Sequence, residues 1–258
     1  MELYSYVEGD PITYADPSGL IKCGEIGAWD GGPSIEDLMT GTSELSLLVG
    51  IMWHEAGVMW QEDTWATIRT EQLFIGTAIM NRLDMSLGQL VGYGSDNKPY
   101  QYQFGNTLSE VILNAGGNNR PSWGIFADGK LAGEALAELN KALRVDVGSP
   151  RSADDILARS RECANVVSAI FGMGQIVSGV RLDPPGGIAL FWNSGGGFNE
   201  KTAAAAMGLN AELINFGRTH KKSGNLFLGL RAHQVRQAEN GNSRREGTGR
   251  GGSGARGR

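Results

Sequence analysis

The chain has little of what metal and redox chemistry requires: among its 258 residues are two cysteines, Cys23 and Cys163, and three histidines, His54, His220 and His233. Two cysteines exclude a disulfide-dense scaffold and a cysteine-ligated zinc site. One Cys23 to Cys163 bridge and two separate buried thiols both stay open, because pairing cannot be deduced from sequence. The run His54-Glu55-Ala56-Gly57-Val58 starts like a zinc-protease helix, but the second imidazole must stand where Val58 does. No metal is therefore expected. No phosphate-cradling glycine loop and no Gly-x-Ser-x-Gly elbow occur either, so neither a cofactor nor an elbow nucleophile is expected. Cys163 falls mid-helix in an apolar stripe, which favours packing over nucleophilic chemistry. The chain also lacks an apolar run of membrane-spanning length, and Met1-Glu2-Leu3-Tyr4-Ser5-Tyr6 has no basic region followed by an apolar one, so neither a membrane span nor a signal peptide is expected. Positive charge is in deficit, with 23 Lys and Arg against 28 Asp and Glu, which argues against clamping nucleic acid through its phosphates.

What is present suits a globular protein. Hydrophobic residues make up 41% and charged residues 20%, and the length fits one main domain with flanking segments. From Ser43, a plausible N-cap, Leu45, Leu48, Val49, Met52, Trp53 and Ala56 recur at helical spacing, and Gly57 is placed to stop the helix. Further helices are expected over 70–83, capped by Thr70, and over 107–114, 131–144 and 153–178, with a last one near 200–207. Residues 187–192 read as a strand or extended wall, and 226–230 as a further apolar stretch. Residues 21–42 read as a linker with one short helix around 34–39. The Gly/Arg/Ser-rich residues 236–258 cannot bury apolar area and are expected to be a disordered basic tail.

The opening Tyr4-Ser5-Tyr6-Val7-Glu8-Gly9-Asp10-Pro11-Ile12-Thr13-Tyr14-Ala15-Asp16-Pro17-Ser18-Gly19-Leu20 is, physically, a short strand and two Asp-Pro turns. Its wording resembles the end of an Rhs core, the repeat-built shell that encloses a variable toxin. That resemblance implies residues 1–20 as the end of the shell, autocleavage after Leu20, and delivery of the remainder by a contact-dependent, type VI kind of secretion. It would explain how a leaderless enzyme reaches the periplasm of a target bacterium.

With metal, cysteine and serine chemistry disfavoured, carboxylates remain. Glu55 stands near the C-terminal end of the first long helix, flanked by Met52, Trp53 and Met59. A carboxyl half-buried among apolar side chains resists ionisation and can donate a proton near neutral pH. An exposed Glu making an ordinary helical contact is the plain alternative.

Residues 51–193 resemble the SleB/CwlJ-type cell-wall hydrolases, a lysozyme-like family. Five short elements come in the family's order: Glu55-Ala56, Glu71-Gln72, Asn81-Arg82, Trp123-Gly124-Ile125-Phe126-Ala127-Asp128-Gly129, and Gly186-Gly187-Ile188-Ala189-Leu190-Phe191-Trp192-Asn193. Gly57 replaces the family's usual Arg, the segment 58–69 is longer, and Trp192 stands where Tyr is usual. The resemblance implies a mainly α (α+β) fold, a lysozyme-like helical domain over residues 43–235 with a small extended wall forming a glycan cleft. It implies Glu55 as general acid, Glu71 as a second catalytic carboxylate lining the cleft, and Asn81 and Arg82 as structural. Trp123, Phe126, Phe191 and Trp192 would stack on sugars, with core packing the plain alternative for each ring, and Asn193 would donate hydrogen bonds.

The expected activity is cleavage of peptidoglycan glycan strands, by lytic transglycosylation or by hydrolysis, without cofactor. The expected partners are the glycan, the Rhs shell and an immunity protein that plugs the Glu55 cleft. The alternative is a nuclease or nucleotide-modifying toxin of the cytoplasm, for which His220-Lys221-Lys222 and the basic tail would speak.

Overall fold

A computed structural model describes residues 35–56, 65–94, 97–100, 104–114, 126–127, 129–143, 153–193, 213–218 and 224–237. The Rhs-like opening with its expected cut after Leu20, Cys23, Trp123, His220, the expected helix at 200–207 and the tail from 238 lie outside the described residues.

Six helices carry the described core: α1 (Ile35–Thr40), α2 (Glu44–Ala56), α3 (Trp65–Ser86), α4 (Leu108–Asn114), α5 (Gly133–Leu143) and α6 (Ala153–Val177). Strand β1 (Leu90–Gly92) follows α3, and a two-residue hairpin, β2 (Phe126–Ala127) and β3 (Lys130–Leu131), precedes α5. After α6 come β4 (Gly187–Asn193), β5 (Ile214–Arg218), β6 (Leu226–Arg231) and β7 (Val235–Gln237). Helices and strands are thus mixed, and no described helix is long and apolar enough to cross a membrane.

Helix α2 is the centre of the packing. Ser43 caps it, its Oγ accepting from the Ser46 amide at 3.2 Å, a contact of the kind that stabilises a helix by about 1 kcal/mol. The stripe read from sequence is buried except at its start, where Leu45 is 40% exposed, and beyond the stripe every residue from Ser46 to Trp53 is buried. A helix enclosed on all sides must be surrounded, and α1, α3, α4 and α6 do this. Close approach of α3 and α6 requires Gly76, where a Cβ would stand 2.8 Å from Ile176 Cγ1 and 3.0 Å from Met52 Sδ.

Three expected boundaries move. Helix α3 begins at Trp65, so Thr70 lies inside it and does not cap it. Ile68 explains the extra turn, because it is fully buried on the face that Gln72, Ile75 and Ile79 continue, and burial outweighs the weak helical preference of Thr67 and Ile68. The expected linker also gives up its end to the core: Leu38 and Met39 of α1 are buried, and burial of side chains this size contributes about 1.5–3 kcal/mol each. At the other end, β7 pairs antiparallel with β1, Leu90 opposite Gln237, so the folded unit reaches past residue 235.

Strands β4, β6 and β5 form an antiparallel sheet in that order, packed through β4 against α3. Gly229 faces the β4 backbone so closely that a Cβ there would collide with the Ile188 carbonyl. A bulge between Ala189 and Phe191 breaks the strand's alternation, and Ala189, Leu190, Phe191 and Trp192 are all buried. The outer edge of β4 is covered by side chains of α3 and the preceding segment. Asn81 Nδ2 donates to the Ala189 carbonyl at 3.0 Å and to Asp183 Oδ1 at 2.8 Å. Arg82 Nε donates to the Leu190 carbonyl at 2.5 Å, and the Ala189 amide donates to Asp183 Oδ1 at 3.3 Å. These bonds occupy an edge that would otherwise expose unpaired backbone groups.

Candidate active site

Helix α2 ends at Ala56, and carbonyl groups of its last turn are met from outside the helix. Two asparagines from distant parts of the chain reach them. Asn165 of α6 donates from Nδ2 to the Trp53 carbonyl at 3.4 Å, and Asn225, just before β6, donates from Nδ2 to the Glu55 carbonyl at 2.9 Å. Gln72 Nε2 in turn donates to Asn165 Oδ1 at 2.6 Å.

Glu55 lies at this helix end with 21% of its side chain exposed. Trp192 Nε1 of β4 donates to Glu55 Oε2 at 3.2 Å. Burial pushes the Glu55 carboxyl above its ordinary 4.5, and the Trp192 hydrogen bond pulls it partly back. The C-terminal end of a helix carries partial negative charge, which further disfavours a carboxylate there. His54 stands beside it, Nδ1 4.0 Å from Glu55 Oε1, and Nε2 3.8 Å from Glu138 Oε2 on α5. Burial lowers the His54 pKa below 6.5, against the opposing pull of Glu138, so near pH 7 the imidazole is mostly neutral and places no cation next to Glu55. A carboxyl that is poorly solvated and still reachable can hold a proton and pass it on.

The structure places Glu71 and the expected stacking rings differently. Glu71 does not line a cleft: it is fully buried in the first half of α3, with Oε1 accepting from the Asn225 backbone amide at 2.7 Å and from Asn225 Nδ2 at 2.5 Å. The chain turns into β6 directly over it, which shuts Glu71 away from solvent. Trp192, Phe126 and Phe191 are 2%, 5% and 6% exposed, so none of these rings presents a face on which a sugar could stack. Trp192 is enclosed because the bulge in β4 turns successive side chains inward, and Phe126 because its hairpin lies on α2 beside Gly50. Asn193 closes β4 opposite Leu226. Asn81 and Arg82 hold β4 against α3, as described above.

One residue expected in another role and one that sequence reading passed over are central. Trp192 is a hydrogen-bond donor to Glu55 where a stacking platform was expected. Asn225 meets Glu55 and Glu71 at separations of 170 and 154 positions, and no local signal in Gly224-Asn225-Leu226 announces it.

No protein-family model, curated protein or solved structure matches the chain.

Proposed function

We propose that this protein is an Rhs-delivered antibacterial toxin that cleaves the glycan strands of peptidoglycan in the target periplasm, with Glu55 as its acid. The observation that carries the reading is the Glu55 carboxyl: partly buried at a helix end, raised in pKa and held by the Trp192 indole. That is the condition a glycosidic general acid needs, since the leaving sugar oxygen must receive a proton as its bond to C1 breaks.

Between the two forms of glycan cleavage, the burial of Glu71 favours lytic transglycosylation. Hydrolysis through water needs a second carboxylate at the bond, and Glu71, the residue expected to supply it, is sealed inside the protein. In transglycosylation Glu55 donates its proton to the glycosidic oxygen and the C1–O bond breaks. The resulting carboxylate then takes the proton of the muramic acid 6-hydroxyl, whose oxygen bonds to C1. The product is a 1,6-anhydro sugar, no water is consumed, and Glu55 is again protonated.

The test uses the full chain and purified peptidoglycan. Soluble muropeptides with 1,6-anhydro ends are expected, and Glu55→Gln is expected to lower their release by about 10²–10⁴-fold, the usual contribution of a positioned acid, while circular dichroism stays unchanged. Full activity in folded Glu55→Gln would remove the mechanism. Products with reducing muramic acid ends would turn the assignment to hydrolysis. Toxicity that appears on cytoplasmic expression and needs no export would favour the nuclease class instead.

A further inference from the structure

We propose that Asn225 and Glu71 form a buried clamp that fixes the last turn of α2 and so positions Glu55, and that Glu71 is a positioning residue, not a second reacting carboxylate. The assignment of Glu55 as acid rests on the reading above; the clamp itself rests on geometry.

Three hydrogen bonds converge on Asn225, which is 1% exposed. Its backbone amide and its Nδ2 both donate to Glu71 Oε1, at 2.7 and 2.5 Å, and Nδ2 also donates to the Glu55 carbonyl at 2.9 Å. Both groups facing Nδ2 are acceptors, so the orientation of the amide is fixed: nitrogen must point at them. An aspartate at this position would direct an oxygen at two oxygens. The clamp therefore joins the end of α2, the body of α3 and the start of β6 at one side chain.

The site needs such a tie. Ala56 is the last residue of α2, so Glu55 stands at a helix end, and such an end frays unless something outside the helix holds it. The Trp192 bond fixes the carboxyl end of Glu55, and the Asn225 bond fixes its peptide. Together they set the side chain from both ends. Displacement of a catalytic group by about 1 Å can lower a rate about 10²-fold. Glu71 acts one step back, since it orients Asn225 through its backbone N–H and its side-chain amide. This explains why a carboxylate stands on α3 where no substrate can reach it.

The decisive comparison is Glu71→Gln with Glu71→Ala in the full chain, read as kcat and KM on peptidoglycan. Glutamine keeps an acceptor oxygen at the same reach; alanine keeps none. A clamp predicts that Glu71→Ala lowers kcat by about 10- to 100-fold with KM within about twofold, and that Glu71→Gln restores most of the loss. If Glu71→Gln were as inactive as Glu55→Gln, Glu71 would be a reacting group and the proposal would be overturned. A second measurement does not depend on the enzymatic reading: amide hydrogen exchange in the Glu55→Gln background. Adding Asn225→Ala is expected to speed exchange in the last turn of α2 at least about tenfold while the middle of α3 and α6 stay protected. Unchanged exchange there would overturn the clamp, and uniform acceleration through all helices would reduce Asn225 to a general stability role. Where Asn225→Ala does not fold, the same exchange comparison is made between Glu71→Gln and Glu71→Ala, with acceleration expected in the alanine variant alone. Should wild type release no muropeptides, the glycan reading fails, and exchange still decides the clamp.

Discussion

Two helix segments in this protein each bury a charge-bearing side chain, and they treat it in opposite ways. At Arg82 on α3 the guanidinium is almost wholly enclosed. Its Nε donates to the Leu190 carbonyl, and the rings of Phe191, Trp192 and Phe104 stand 4.6, 5.2 and 5.4 Å from its central carbon. Burial pulls its pKa down to about 9, still far enough above neutrality to keep the charge. At Glu55 on α2 the carboxyl keeps an opening to solvent, receives one indole hydrogen bond and is pushed toward its neutral form. A buried charge given acceptors and aromatic faces serves packing. One whose burial raises its pKa keeps a proton available. Trp192 belongs to both places, with its ring near Arg82 and its N–H on Glu55.

Mutation can break this contrast, and the largest effect is expected at the structural end. Arg82→Ala leaves a cavity and an unpaired Leu190 carbonyl, and is expected to lower stability by about 3–5 kcal/mol, measured by urea unfolding. A loss near zero would mean that β4 is not held by this residue. Trp192→Phe sharpens the comparison by cutting the link. It is expected to cost about 1–2 kcal/mol through the lost hydrogen bond and smaller ring. Because that bond holds the Glu55 pKa down, its removal raises the pKa further, so the alkaline limb of the pH–activity profile should move to higher pH. A limb that stays put or moves down would contradict the assigned bond.

The smallest effect is thermodynamic linkage at Glu55. Its folded pKa lies above the ordinary 4.5, so its contribution to stability is fully present below 4.5 and is lost as pH rises through the folded value. A glutamine side chain cannot ionise. The melting temperature of the Glu55→Gln variant should therefore gain on wild type as pH rises from below 4.5 to about 8. A difference that does not change with pH would show that the carboxyl is not destabilised by burial.

The local features of this chain were legible in its sequence because they depend on short-range periods and caps. Ser43 as N-cap, the helix ending before Gly57, the long helix from Ala153 and the strand from Gly187 all follow from neighbours within a few positions. So did the position of Glu55 at a helix end among apolar residues, which is a statement about one turn of chain. The short strands β1, β5 and β7 carry too few residues for a period to register, and only their partners define them.

What tertiary structure alone decided is which side chains meet. A helical repeat shows that α3 has an inner face, but not that β6 would cover Glu71 and close it off. Alternation along β4 could not place Trp192, because the bulge at Leu190 turns four successive residues inward. Above all, the sequence held no sign that Asn225 would stand between Glu55 and Glu71, from 170 and 154 positions away. Backbone preference acts over a turn or two, whereas the environment of a carboxyl is set by whatever distant segments the packing of the core brings against it.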